Sequence, residues 1–148
     1  MSTAVSFDVI GDPAPQGSKS RMPNGQLIEG RDSAQRERHH NWRNAVADAA
    51  RDAMADEGIT TPLDGPLSLQ ITFRFRRPKS WPKKRLNWHT SAPDIDKLVR
   101  SVGDSLTAAG LIVDDRLVCH LKARAIVIDT GATGATILVY QITSEPGP

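Results

Sequence analysis

The chain has 148 residues, with 19 lysines and arginines against 17 aspartates and glutamates, a formal net charge of +2 and a single cysteine. That length suits one domain, residues 1–148, able to bury a sizeable core, while Cys119 alone excludes an internal disulfide framework and a cysteine zinc cluster. The N-terminus lacks the basic-plus-apolar pattern of a secretory leader and no apolar run reaches membrane-spanning length, so a soluble cytoplasmic protein without a membrane partner is expected.

In chain order, Val5, Phe7 and Val9 alternate with Ser6 and Asp8, which predicts a strand at about 3–11. The following stretch, about 12–31, is rich in Gly, Pro and Ser and carries Lys19 and Arg21. It reads either as a flexible basic loop that closes over a charged partner or as a solvated surface loop. Asp32 with Gln35 makes an acceptable cap, and Trp42, Ala45, Val46, Ala49, Ala53 and Met54 then recur along one side of a helix at about 33–57. Arg36, Arg38, His39, His40 and Arg43 give its first half a basic outer surface. Neighbouring residues on a helix diverge by about 100 degrees, so His39 and His40 are a weak metal signal.

Leu67, Leu69, Ile71, Phe73 and Phe75 alternate with Ser68, Gln70, Thr72, Arg74 and Arg76, predicting a strand at about 67–77. From Arg74 the chain carries Arg76, Arg77, Lys79, Lys83, Lys84 and Arg85 with no acid among them. Such a segment suits a phosphate backbone, and DNA contacts are expected from it. Trp81 and Trp88 interleave with these bases, either to stack on exposed nucleobases or to fold back onto the core.

The most informative stretch is 92–115, APDIDKLVRSVGDSLTAAGLIVDD, which gathers aspartates at 94, 96, 104, 114 and 115. Ile95, Leu98, Val99, Val102 and Leu106 mark the buried stripe of a helix at about 94–109. Asp96, Arg100 and Asp104 follow at successive turns of an adjacent face. Gly110 stops the helix, and Leu111-Ile112-Val113 leads in extended form to Asp114-Asp115, so an antiparallel return is expected to bring one of these acids toward the helix start. Converging carboxylates repel one another unless protons or a cation intervene, and hard oxygen ligands suit magnesium, with manganese as a substitute. The plainer readings are that Asp94 caps the helix and that Asp114-Asp115 is a polar turn.

Cys119, Leu121, Ala123, Ala125 and Val127 alternate with residues that include His120, Lys122 and Arg124, predicting a strand at about 117–129, and a Val/Ile/Leu/Tyr-rich strand at about 134–143 follows a turn to make a hairpin. No βαβ rhythm with a glycine-rich phosphate loop is visible, and GDPAPQGSKS lacks the spacing of a nucleotide-binding loop. The expected fold is a single α+β domain with a mixed sheet, two main helices and a C-terminal hairpin.

With these acids placed, the sequence resembles the RusA-type Holliday junction resolvases of bacteria and their phages. The resemblance lies in Pro93-Asp94-Ile95-Asp96-Lys97-Leu98-Val99-Arg100, in Asp104-Ser105-Leu106, in Asp114-Asp115 and in the opening GDPAPQGSKSR. It implies a magnesium-dependent endodeoxyribonuclease, active as a homodimer that cuts a four-way DNA junction with paired symmetric nicks, in the cytoplasm of a bacterial cell or phage-infected host. It implies that Asp94, Asp96 and Asp115 are the metal-binding catalytic acids, with Asp114 as a further candidate. Arg100 stands where the family carries an essential lysine and serves best as a phosphate clamp, because a guanidinium does not readily release its proton. Lys97 replaces the signature asparagine and joins Lys19, Arg21, Arg76, Arg77, Lys79, Lys83, Lys84 and Arg85 as candidate DNA contacts. Two other functions compete: a metal-dependent nuclease without junction preference, and a DNA-binding or recombination accessory protein without catalysis.

Overall fold

A computed structural model describes residues 3–15, 19–21, 27–29 and 33–148, the segments 19–21 and 27–29 by their backbone. In chain order the elements are β1 (Ala4–Ile10), β2 (Lys19–Arg21), β3 (Leu27–Glu29), α1 (Ser33–Glu57), β4 (Leu67–Arg76), α2 (Ile95–Ala109), a 3₁₀ turn at Asp115–Leu117, β5 (Val118–Ile128) and β6 (Gly134–Gln141). The strand and helix ranges expected from periodicity recur within a few residues. The short strands β2 and β3 pair antiparallel inside the expected flexible loop, whose other residues 16–18, 22–26 and 30–31 lie outside those described.

The period-two pattern sends one side of each main strand into the core. Val5, Val9, Leu69, Ile71, Phe73, Ala125, Val127, Ile137 and Val139 are buried there, beneath Trp42, Val46, Ala50 and Ala53 of α1 and Leu98, Val102 and Leu106 of α2. Fully burying a side chain of the Leu, Ile or Phe class contributes roughly 1.5–3 kcal/mol, so this one layer of contact holds both helices to the sheet. The opposite face stays open, lined by Ser6, Gln70, Thr72, Lys122, Arg124 and Thr136 among others. A mixed sheet with two helices on one face is the α+β class expected.

Strand order is β1-β6-β4-β5, with β4 parallel to β5 and antiparallel to β6. The C-terminal strands therefore flank β4 rather than each other, and β4-α2-β5 is a parallel crossover that the sequence pattern does not reveal. The connection between β5 and β6 must pass over the end of β4, which leaves its carbonyls without a ladder. Arginines at that end supply the donors. Arg76 donates to the carbonyls of Asp129 (3.0 Å) and Gly131 (2.6 Å), and Arg74 donates to that of Ala132 (3.2 Å). Arg77 pairs with the Asp129 carboxylate at 2.8 Å and also donates to Asn87.

Two local features aim the chain at the acidic stretch. Gly110 adopts the left-handed conformation at φ 82°, and its N–H bonds back to the last turn of α2. The chain then runs beside Leu63, which exchanges hydrogen bonds with the Leu111 carbonyl (2.8 Å) and the Val113 N–H (3.0 Å). With Leu111 and Ile112 buried, Asp114 and Asp115 emerge along the flank of α2.

Candidate active site

The start of α2 is held by the segment before it. The N–H of His89 donates to the Ala125 carbonyl and the N–H of Val127 to that of Asn87, each at 3.0 Å, so residues 87–89 lie along the edge of β5. The His89 ring stacks on Phe75 with centroids 3.8 Å apart, and its Nε2–H donates to the Pro93 carbonyl at 3.3 Å. Burial lowers the His89 pKa, opposed in part by that hydrogen bond. A neutral imidazole at pH 7 follows, used here to anchor the residue before Asp94.

Asp94 occupies the N-cap position of α2 with extended backbone (φ −71°, ψ 142°), and its side chain makes no capping hydrogen bond. The plain capping reading of this residue therefore fails, and an exposed carboxylate stands uncommitted at a helix start. Asp96 follows in the first turn, also exposed. Both border a groove of about 520 Å³ whose other walls include Trp88, His89, Ala123 and Arg124. On its other side Asp94 borders a second cavity, of about 310 Å³, between α1 and α2.

The returning chain divides its two acids. Asp114 caps the 3₁₀ turn, its carboxylate accepting the Arg116 N–H at 2.9 Å, and this bond holds its pKa below the usual carboxylate range. Asp114 thus has the geometry of the polar turn. Asp115 instead packs against α2, where a Cβ on Gly103 would stand 3.3 Å from its own Cβ. Its pKa is raised, first by desolvation and then by hydrogen bonding with Asp114 and by the charges of Asp104 and Asp114. The return thus brings Asp115 to the middle of α2 rather than to its start. Gly103 lies seven positions beyond Asp96, about 10 Å along the axis at 1.5 Å per residue, but on the same face. Arg100 falls between them on that face and is exposed.

The donor set fits a hard divalent cation in its chemistry: carboxylate oxygens predominate, and desolvation, followed by the neighbouring carboxylates, makes Asp115 reluctant to ionise without a neutralising charge. In position the set is open, since among the described residues no three His, Cys, Asp or Glu side chains are gathered so as to hold an ion.

The candidate DNA contacts separate into two groups. Arg76 and Arg77 are engaged with the β5–β6 connection, and the side chain of Arg77 is only 10% exposed. Lys79, Lys83 and Lys84 project outward, while Arg85 lies over the Trp81 ring at 3.8 Å and donates to Thr90. Lys97 is half-buried beside the cavity at the start of α2. The side chains of Lys19 and Arg21 lie outside the described residues. Trp88 bridges to Ile126 through its backbone and leaves its ring partly exposed.

Sequence reasoning missed His89 and Gly103. A histidine before Pro-Asp and a glycine in the middle of an apolar helix were the visible signals. Their partners, Phe75 and Asp115, are too distant in sequence for periodicity to pair them.

Among known proteins, the family model described as endodeoxyribonuclease RusA matches residues 13–139, which include both stretches of acids. No curated protein matches the chain.

Proposed function

Because the chain belongs to the RusA endodeoxyribonuclease family, we propose that it resolves four-way DNA junctions by magnesium-dependent, paired phosphodiester hydrolysis as a homodimer. The observation that carries this reading is Asp94: an exposed carboxylate at a helix start, released from capping, beside Asp96 and between two cavities. Asp94, Asp96 and Asp115 would hold the metal, with Asp114 contributing if it gives up its cap. A bound divalent ion neutralises charge at the scissile phosphate and makes water a better nucleophile; manganese is a plausible substitute.

The chain's own side chains do the remaining work. Arg100, on the same face as Asp96 and the Asp115 contact, would hold the phosphate as its charge builds. His89 keeps Pro93 and hence Asp94 in place through its neutral ring. Lys79, Lys83, Lys84 and Arg85 would bind flanking backbone without sequence information. A dimer with two identical sites about a two-fold axis meets the need for two matched cuts.

A supercoiled cruciform plasmid tests the proposal, because one cut gives a nicked circle and two coordinated cuts give a linear molecule. Wild-type protein with magnesium is expected to yield the linear form, while D94N, D96N and D115N retain junction binding and yield little product. Heterodimers of wild-type and D96N chains should stop at the nicked circle. Linear product from all three variants, or equal cutting of linear duplex and junction, would sink the assignment of site or of substrate respectively.

A further inference from the structure

The cavity of about 310 Å³ between α1 and α2 takes part in none of the steps above, yet Asp94 forms part of its wall. Among the described residues its other lining includes Arg36, Arg38, His39 and Lys97, three cations and an imidazole against one carboxylate. Arg36 and Arg38 stand in the first turns of α1, and Lys97 stands in the first turn of α2. Among the described residues none of these three cations makes an ion pair. Like charges gathered around one hollow repel, and an anion seated there relieves that cost. Residues from the first turns of both helices line the same space, where the partial positive charge of the helix starts adds to the attraction.

We propose that this cavity seats a second phosphate of the strand being cut, next to the scissile one, with Arg36, Arg38 and Lys97 as its ligands. The inference rests on the nuclease reading, because it is Asp94 that places the cavity beside the reacting phosphate. A carboxylate on the shared wall fixes the direction in which the strand crosses the start of α2: the scissile group lies on the Asp96 side and its neighbour on the Arg36/Arg38 side. The α1 cations thereby act as positioning residues, since they hold the strand and touch no reacting atom.

The test uses the full chain with R36A/R38A and the charge-conserving R36K/R38K. Junction binding is measured over a range of salt without metal, and single-turnover cleavage is measured with magnesium. Loss of one phosphate contact is expected to flatten the log–log salt dependence by about 0.9. Cleavage at saturating protein should fall about tenfold, and R36K/R38K should restore most of both. Junctions carrying a single neutral methylphosphonate beside the mapped cut supply the local readout. Neutralising the seated phosphate should weaken wild-type binding but add little to the loss already present in R36A/R38A. An unchanged salt slope, or equal losses from the neutral phosphate in both proteins, overturns the proposal. Failure of the wild-type protein to cut any DNA would refute the nuclease reading instead, and the metal-free binding slopes still decide the cavity.

Discussion

Replacing Gly103 with alanine should act on stability and on the acidic site in opposite directions. A glycine inside a helix costs about 0.8–1.0 kcal/mol relative to alanine, so the substitution favours α2 by that amount. The added Cβ would stand 3.3 Å from the Asp115 Cβ and 3.6 Å from its Oδ2. Carbon atoms prefer about 3.5–4.0 Å, so Asp115 must retreat by a few tenths of an ångström. Asp115 sits exposed on a one-turn 3₁₀ segment, where such a shift is cheap. A net gain of about 0.5–1 kcal/mol remains, or about 1–4 °C in melting temperature for a chain of this size. Cleavage should fall, because a displacement of about 1 Å at a reacting group costs on the order of a hundredfold, and a third of that costs about three- to tenfold. Gly103→Leu, which drives Asp115 off the helix, should cost about a hundredfold. Thermal unfolding without metal and single-turnover junction cleavage with magnesium measure the two effects. Full cleavage by both variants would show that the seat of Asp115 against α2 is not its working position. A loss of more than about 1 kcal/mol in the alanine variant would show that the contact does not relax.

Three further outcomes are expected. Asp104 and Asp114 help to raise the Asp115 pKa, so D104N, by removing one negative neighbour, should lower it; carbon-detected titration of the metal-free protein reads this directly, and the acid limb of the cleavage profile should move to lower pH. R77A should destabilise the fold by about 1.5–3 kcal/mol in denaturant unfolding, because the guanidinium bonded to Asp129, Asn87 and the Arg85 carbonyl is lost. K83A/K84A should leave unfolding unchanged and flatten the log–log salt dependence of DNA binding by about 1.8 if each lysine meets one phosphate; an unchanged slope would remove this segment from the DNA footprint.

The sequence by itself determined the elements and the chemistry they carry. Periods of 2 and 3.6 are local properties, so the alternation from Leu67 to Arg76 and the stripe Leu98, Val102, Leu106 already define β4 and α2 and the faces they bury. The spacing of Asp94, Asp96, Arg100 and Asp114-Asp115 likewise lies in the sequence, and so does the family to which it points. Only the tertiary structure decided how these elements meet. Strand order depends on pairings between residues more than fifty positions apart, and no local pattern signals that β4 inserts between β5 and β6. That insertion turned Arg76 from part of an outward basic run into a donor for the Asp129 and Gly131 carbonyls of the β5–β6 connection, and Arg77 into the partner of the Asp129 carboxylate. Packing also separated adjacent acids that look equivalent in sequence: Asp114 satisfies a backbone N–H, while Asp115 meets Gly103 and the charge of Asp104. A carboxylate's role follows from the donors and charges within a few ångströms, and those neighbours are assembled by the fold.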